Sequence, residues 1–256
     1  MVEFLIVGVQ KAGTTALHNF LSQHPDLYLP ESKELHFFDD ESLDWRQPDY
    51  ARYQNHFRDR LSGQIAGEAT PIYSYWQPAA ARIHQYNSAM KLIFLLRNPV
   101  ERAYSHWAME FGRGTETLGF SAAIRAGRSR LAGGQHRVLS YVERGLYSEQ
   151  VDRLRSHFPA AQLLFLRTED LRERHQRTLD RVCGFIGVGR FGEYPVSVRV
   201  LPEALVAVVP DAPAPVPLPA DSDLSFLQDI FRADIERTAH QTGLDLSAWT
   251  GRLPAS

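Results

Sequence analysis

A glycine-containing loop near the start of the chain carries residues suited to binding an anion. Its sequence is Gly8-Val9-Gln10-Lys11-Ala12-Gly13-Thr14-Thr15. An apolar run at residues 4–7 precedes it and a helical pattern follows, which predicts a strand, a loop and a helix. The first N–H groups of a helix lack intrahelical partners and lie at the positive end of the helix dipole. We therefore expect this loop to bind phosphate or sulfate.

The position of the lysine distinguishes this loop from the Walker A loop of nucleoside triphosphatases. A Walker A loop has the same glycine spacing, but lysine and then a Mg²⁺-binding Ser/Thr follow its second glycine directly. Here Thr14 follows Gly13, and Lys11 lies inside the loop. The sequence therefore indicates a cradle for an anionic ester without the usual metal arrangement.

A second anion-binding position is expected after the apolar run at residues 92–96. Arg97-Asn98-Pro99 follow this run, and Ser105 lies about two turns into the next helix. Open α/β sheets bind ligands at the carboxyl ends of their strands, where P-loop NTPases often place an Asp for Mg²⁺. Arginine at that place repels a metal and attracts an anion. A ligand with two phosphate-type groups fits these two positions better than ATP with Mg²⁺. The alternative for Arg97 is that it only forms a salt bridge within its loop.

A charged and aromatic segment follows the first helix. Its sequence is Glu31-Ser32-Lys33-Glu34-Leu35-His36-Phe37-Phe38, and residues 24–30 before it are expected to return the chain across the sheet edge. A carboxylate here could act as general base on an acceptor hydroxyl, a contribution of about 10²–10⁴-fold in rate. The alternative is a charged surface turn anchored by its two phenylalanines.

The apolar pattern along the chain predicts the elements that position these residues. Strands are expected at residues 4–7, 92–96 and 163–166, with a weaker one at 64–68, and helical spacing recurs between and after them. Strands alternating with helices indicate a parallel sheet covered on both faces. We predict an α/β, P-loop-like three-layer fold with a central parallel β-sheet flanked by helices, formed by residues 1–256 as a single domain.

Composition narrows the class of protein. The 256 residues are 44% hydrophobic and carry a net charge of −2, which fits a globular core and gives no overall reason to expect nucleic acid as a partner. Cys183, the only cysteine, excludes an internal disulfide and is expected in the core, which favours a reducing compartment. No secretory signal or membrane-spanning run is visible, so we expect a cytoplasmic protein.

Two segments interrupt the α/β pattern. Residues 112–137 are rich in Gly and Arg and are expected to form a substrate loop or lid, the alternative being a surface excursion with a short helix near 120–125. Their arginines hint at an anionic acceptor, such as a carboxylated glycan or a carrier-bound intermediate. Residues 210–219 hold five prolines and are expected to form an extended connector to the last helix.

Together these motifs resemble the sulfotransferase family, in particular the heparan-sulfate branch and its bacterial relatives. Four blocks in the family's order carry the resemblance: residues 4–21, Lys33-Glu34-Leu35-His36-Phe37-Phe38, Glu68-Ala69-Thr70-Pro71, and residues 95–105. Further similarity lies at Arg144-Gly145-Leu146-Tyr147, at Phe158-Pro159 and at residues 243–249. The resemblance spans nearly the whole chain.

The resemblance implies a donor, a product and site residues. The donor is 3′-phosphoadenosine 5′-phosphosulfate (PAPS), the product is 3′-phosphoadenosine 5′-phosphate (PAP), and no metal is required. The 5′-phosphosulfate would lie on Lys11, Ala12, Gly13, Thr14 and Thr15, with Lys11 at the bridging oxygen that leaves. The implied 3′-phosphate ligands are Arg97 and Ser105. Further nucleotide-binding candidates are Tyr147, Ser197 and Arg199.

The resemblance also implies the catalytic groups and the class of acceptor. Glu34 matches the family's catalytic base, and His36 is its neighbour in the same motif, so both are catalytic candidates with Lys11. The reaction would be in-line sulfuryl transfer to a hydroxyl, less often to an amine, of a glycan, a lipid or a secondary metabolite, free or carrier-bound.

The chain also departs from the family pattern. Ala69 stands where some heparan-type enzymes have a lysine, and the nucleotide-gripping loop of vertebrate members is missing, with Ser197 and Arg199 as its expected replacements. Two other functions are weighed against sulfuryl transfer. A P-loop phosphotransferase or kinase would need a lysine directly after Gly13. A non-catalytic nucleotide-binding module would be expected to have lost Lys11 or Glu34.

Overall fold

The computed structural model describes residues 1–196 and 218–251. The strands within these ranges are β1 (Phe4–Gly8), β2 (Leu27–Tyr28), β3 (Ile65–Ala69), β4 (Lys91–Leu96) and β5 (Leu163–Arg167). The α-helices are α1 (Thr14–Leu21), α2 (Tyr50–Gln54), α3 (Ala79–Tyr86), α4 (Pro99–Gly112), α5 (Phe120–Ala132), α6 (Tyr147–Arg155), α7 (Thr168–Glu173), α8 (His175–Ile186) and α9 (Asp221–Thr242).

The five strands form one parallel sheet in the order β2-β3-β1-β4-β5. All residues of β1 and nearly all of β4 are buried, because a parallel sheet is covered on both faces and its strands are then continuously apolar. The four strands predicted from apolar runs are confirmed, and the predicted fold class is confirmed with them. The expected extended stretch at residues 24–30 contains β2.

The chain forms two compact units. Among the described residues, the sheet unit comprises residues 1–96 and 150–196, and the helical unit comprises residues 97–149 and 218–251. The sheet unit holds all five strands, and the helical unit holds α4, α5 and α9. The prediction of a single domain over residues 1–256 stays a prediction.

In the sheet unit, aromatic side chains fill the space beside β3. Phe38 packs edge-on against Tyr53 and Tyr73, and Phe37 stacks on Tyr53 at 4.8 Å between ring centroids. These four rings are buried, so they belong to the core. Cys183 is also buried, as expected.

In the helical unit, local sequence sets the start of α4. The Asn98 side chain accepts the N–H of Val100 at 3.0 Å, and Pro99 occupies the first helical turn, where its missing N–H has no cost. Helix α5 has 13 residues, so residues 112–137 are more regular than the short helix near 120–125 that the sequence indicated. Residues 210–217 of the proline-rich connector lie outside the described residues.

No helix in the described ranges combines the length and apolar character needed to cross a bilayer.

Candidate functional site

The loop between β1 and α1 has the backbone geometry of an anion cradle. Lys11 and Gly13 both have positive φ values, 73° and 88°, and Gly13 lies immediately before the first residue of α1. No side chain of the described residues caps the start of this helix. By helix geometry the N–H groups of Thr14 and Thr15 have no intrahelical partner, so they are directed toward whatever occupies the loop.

Hydrogen bonds at the ends of neighbouring strands hold this loop against the sheet. The Val9 N–H donates to the carbonyl oxygen of Leu95 at 2.7 Å. The Thr168 hydroxyl lies 2.7 Å from the carbonyl oxygen of Ala12 and 2.9 Å from that of Leu96, and can donate its one proton to either. Because these contacts come from two neighbouring strand ends, the loop conformation is part of the core rather than a surface excursion.

Close packing explains the first glycine of the loop. A Cβ atom added at Gly8 would lie 2.4 Å from the Phe94 ring and 2.4 Å from the Ser74 hydroxyl oxygen, which is closer than atoms can approach. The structure therefore brings all five predicted loop residues to one turn. Ala12 and Thr14 are buried there, while Thr15 is exposed.

The segment predicted to supply a general base forms a tight turn against the end of β3. The Glu34 N–H donates to the carbonyl oxygen of Ala69 at 3.0 Å. Glu34 and His36 have φ values of 61° and 51°, a left-handed conformation that non-glycine residues rarely adopt. Ala69 pairs with Ile6 of β1 in the sheet, so this turn lies beside the strand that leads into the Lys11 loop.

Charged groups surround the Glu34 carboxylate. The Lys33 Nζ lies 2.5 Å from Glu34 Oε1, and the His36 Nε2 lies 3.7 Å from Glu34 Oε2. The opposite ring nitrogen of His36, Nδ1, is 3.0 Å from a carboxylate oxygen of Asp39. The imidazole therefore bridges a half-exposed carboxylate and a buried one.

These contacts shift two pKa values in opposite directions. Burial by itself would raise the pKa of Glu34, but hydrogen bonding to His36 and the charge of Lys33 outweigh it and lower that pKa to about 2. Hydrogen bonding to Asp39 and then to Glu34 raises the pKa of His36 to about 9. At neutral pH the pair is carboxylate and imidazolium, so His36 serves as a cation beside Glu34.

Sequence reasoning missed two carboxylates of this region. Asp39 is buried under His36, and the only sequence signal for it was an acidic residue three positions after a histidine. Glu68 is completely buried at the end of β3, where burial raises its pKa to about 7. The signal for Glu68 was a carboxylate inside an apolar strand, which calls for hydrogen-bonding partners.

The helical unit contains the second predicted anion position. Arg97 pairs with Glu101 at 3.1 Å, so the salt bridge weighed as an alternative is present. Ser105 is half-buried on α4, one further turn along the helix from Glu101. The Tyr147 hydroxyl donates to the Arg97 carbonyl oxygen at 2.8 Å, and Tyr147 is fully buried. Tyr147 therefore supports the backbone of Arg97.

The last two nucleotide-binding candidates, Ser197 and Arg199, lie outside the described residues.

Several arginines of residues 112–137 are engaged inside the helical unit. Carboxylate oxygens lie 3.2 Å from Arg113, 2.6 Å from Arg125 and 2.6 Å from Arg130. Their partners are Glu110, Asp223 and Glu116, respectively. All three charges are paired within the unit, and the Arg125 pair joins α5 to α9, which weakens the hint of an anionic acceptor drawn from their number.

Most of the chain matches a known protein family and several curated proteins. The sulfotransferase domain family matches residues 2–194. Heparan sulfate glucosamine 3-O-sulfotransferase 6 of Mus musculus is 38% identical over 190 residues, which are 73% of this chain and 52% of that protein. Heparan sulfate glucosamine 3-O-sulfotransferase 3B1 of Homo sapiens is 34% identical over 189 residues, 73% of this chain and 46% of that protein. The chain thus spans about half the length of these curated relatives.

A solved structure matches the fold over almost the full length. The crystal structure of a sulfotransferase from Alicyclobacillus acidocaldarius superposes with a TM-score of 0.83 and 26% identity, covering 98% of this chain and 99% of that one. The sulfotransferase domain from the curacin biosynthetic pathway is similar in fold, with a TM-score of 0.53 and 16% identity over 75% of each chain.

Proposed function

The chain belongs to the sulfotransferase domain family, and from this premise we propose that it transfers the sulfuryl group of PAPS to an acceptor hydroxyl. One observation carries the proposal: the Lys11 loop follows β1, and the Glu34 turn is hydrogen-bonded to the end of the paired strand β3. An anion cradle and a carboxylate therefore lie at neighbouring strand ends, as transfer between a bound anion and an adjacent hydroxyl requires.

The residues of the loop fit the phosphosulfate end of PAPS. The uncapped start of α1 and the left-handed Gly13 aim backbone N–H groups at a bound anion. Lys11 would stabilise the negative charge that develops on the bridging oxygen as the sulfuryl group departs. Charge that grows along the reaction is stabilised more in the transition state than in the ground state, which is the condition for catalysis. Arg97 and Ser105 would hold the 3′-phosphate.

Glu34 is the proposed proton acceptor, and its low pKa is compatible with that role. As the acceptor oxygen bonds to sulfur, its proton becomes strongly acidic, so a weak base can remove it late in the reaction. The Glu34 pKa of about 2 keeps the carboxylate ionised throughout the neutral range. His36, with a pKa of about 9, stays protonated and holds the carboxylate from one side.

The step balances in atoms and charge. The acceptor oxygen forms a bond to sulfur while the bond from sulfur to the bridging phosphate oxygen breaks, in line. The acceptor proton moves to the Glu34 carboxylate, and PAP leaves with the electron pair of the broken bond. We propose that no metal takes part, because Lys11 and the N–H groups of α1 supply positive charge at the leaving oxygen.

The names of relatives point to a glycan as the acceptor class. The curated relatives are heparan sulfate glucosamine 3-O-sulfotransferases, which makes a hydroxyl-bearing glycan the first acceptor to test. Ala69 takes the place of a lysine found in some heparan-type enzymes, so this chain lacks one charge toward an anionic sugar. Lipids and secondary metabolites, free or carrier-bound, follow as acceptors.

The competing functions have less support. A phosphotransferase would need lysine directly after Gly13, and Thr14 occupies that position. A non-catalytic module would be expected to have lost Lys11 or Glu34, and the chain has both.

Cys183, buried and alone, supports a reducing compartment such as the cytoplasm.

Two measurements test the proposal. Calorimetric titration with PAP in EDTA should show metal-free binding that weakens in Lys11→Ala. Transfer of radiolabelled sulfate from PAPS should then be measured on heparan sulfate and on a panel of neutral glycans, phenols and alcohols, with Glu34→Gln as the matched variant. We expect Glu34→Gln to bind PAP normally and to lose about 10²-fold or more in rate. ATP binding that requires Mg²⁺, with no PAP binding, would replace the proposal with a phosphotransferase.

A further inference from the structure

Two groups of hydrogen bonds bracket the strained turn at Glu34 and His36. Before the turn, the Glu34 N–H donates to the Ala69 carbonyl oxygen at 3.0 Å. After it, the N–H groups of Phe37 and Phe38 lie 3.0 and 3.4 Å from one acceptor, the hydroxyl oxygen of a tyrosine. That tyrosine is Tyr73, and it is completely buried.

The conformation of the turn requires such support. Two left-handed residues other than glycine within three positions are costly in free energy and persist only where surrounding structure holds them. Glu34 and His36 are half-exposed, so packing of their own side chains supplies little restraint. Besides the ion pair of His36 with buried Asp39, the restraint comes from the backbone contacts on either side of the turn.

A buried carboxylate belongs to the same cluster as Tyr73. Glu68 accepts the Thr70 hydroxyl at 2.7 Å and the Tyr53 hydroxyl at 3.3 Å. Burial raises the pKa of Glu68 to about 7. A hydroxyl oxygen that accepts the two backbone N–H groups must direct its own proton away from them, toward this buried polar cluster.

We propose that Tyr73 is a positioning residue of this site, whose hydroxyl holds the turn that presents Glu34 and His36. The inference rests on the proposed function, because the turn matters for catalysis only if Glu34 is the base. The effect of Tyr73 on the turn can nevertheless be measured through His36 without any acceptor. Its consequence is that a residue that contacts no substrate controls the geometry of the proposed base.

The test compares Tyr73→Phe with Tyr53→Phe. Both variants keep an aromatic ring in the same cluster, but only the first removes the acceptor of the two backbone N–H groups. The readout is the pKa of His36, followed by NMR through its ring protons and assigned with His36→Gln. The charged groups that act on this imidazole are Glu34 and Asp39, and Glu68 interacts with it from β3.

We expect the His36 pKa to stay near 9 in wild type and in Tyr53→Phe, and to fall in Tyr73→Phe by about one unit or more toward 6.5. An unchanged His36 pKa in Tyr73→Phe would overturn the inference. Calorimetric PAP stoichiometry reports the folded fraction of each variant. If Tyr73→Phe does not fold, amide hydrogen exchange of the wild-type protein replaces it: slow exchange of the Phe37 and Phe38 N–H groups would support the inference, and exchange as fast as that of exposed turn residues would overturn it.

Kinetics separate this inference from the proposed function. With an acceptor in hand, Tyr73→Phe should lower kcat by about 10- to 100-fold with unchanged PAP affinity, as expected for a misplaced catalytic group. Full activity in Glu34→Gln would refute the proposed base, whatever Tyr73 does. An inactive Glu34→Gln alongside a fully active Tyr73→Phe would refute the positioning role alone.

Discussion

The Tyr147 hydroxyl donates a hydrogen bond of 2.8 Å to the backbone carbonyl oxygen of Arg97. Tyr147 is fully buried, and Arg97 follows the last residue of β4 in the chain. The tyrosine thus restrains the backbone of an arginine whose guanidinium is half-exposed and paired with Glu101. Arg97 is thus proposed to contact the nucleotide directly, whereas Tyr147 acts only by restraining the backbone of Arg97.

The first prediction ranks these residues by their effect on PAP affinity. Arg97→Ala should weaken binding by about 10- to 100-fold, because hydrogen bonds to a charged group are worth more than neutral ones. Tyr147→Phe should weaken it by less than about tenfold, because only the backbone restraint is lost. Calorimetric titration in EDTA measures both. Glu101→Gln is the control and should leave affinity equal or higher, since it removes a carboxylate that competes with the 3′-phosphate for the guanidinium. A larger loss in Tyr147→Phe than in Arg97→Ala would contradict the assignment.

The second prediction concerns pH and the Asp39–His36 pair. The folded-state pKa of His36 is about 9, above its ordinary value of 6.5, so this contact stabilises fully below pH 6.5 and is lost as pH rises through 9. Asp39→Asn should therefore lower the free energy of unfolding more at pH 6 than at pH 10. Urea denaturation at several pH values measures the difference.

Asp40→Asn is the neighbouring control for this pair. Hydrogen bonds from Ser42 lower the pKa of Asp40, so its charge is constant between pH 6 and 10. Its effect on stability should not vary over that range. A pH-independent effect of Asp39→Asn would rule out the charged pair.

For Glu34 the pH dependence of stability has the opposite sign. Because its pKa is lowered to about 2, its stabilisation is present above pH 4.5 and is lost as pH falls toward 2.

The third prediction concerns the glycines around the anion-binding loop. Gly8→Ala should destabilise the protein by about 1–3 kcal/mol, because the new methyl group overlaps Phe94 and Ser74. Gly13→Ala should cost about 1–2 kcal/mol, since the φ of 88° is left-handed. Gly184→Ala, in the exposed interior of α8 with nothing within 4 Å, is the control and should be neutral or stabilising. Thermal unfolding measures all three, and equal melting temperatures would contradict the packing argument.

The fourth prediction concerns the ion pair within the helical unit. Arg130 lies 2.6 Å from Glu116, and both side chains are nearly buried, at 11% and 1% exposure. Removing one partner leaves a buried charge, so Glu116→Ala should cost about 3 kcal/mol or more. Arg232→Ala, at a pair with Asp229 in which both side chains are exposed, should cost less than about 1 kcal/mol. Denaturant unfolding distinguishes them, and similar small effects would show that the Glu116 pair is solvated.

Much of the fold was predictable because its signals are local. Apolar runs predicted four of the strands, and helical spacing predicted α6, α8 and α9. The spacing of Gly8, Lys11 and Gly13 predicted the turn between β1 and α1, since a strand, a tight turn and a helix follow from neighbouring residues alone. The length of α5 was missed, because glycines and arginines at residues 112–137 were interpreted as irregular structure while buried Phe120 and Ile124 anchor a helix there.

The amino-acid sequence by itself determined the parallel α/β class, the family and the glycine loop proposed to bind the anion, because these depend on residue type and short spacing. Only the tertiary structure decided that Asp39 and Glu34 flank one imidazole and that Tyr73 holds the turn between them. Those relationships depend on left-handed backbone conformations and on contacts between residues as far as 36 positions apart. Residues this far apart in the chain come together only when the whole sheet packs, and no single segment determines their contact.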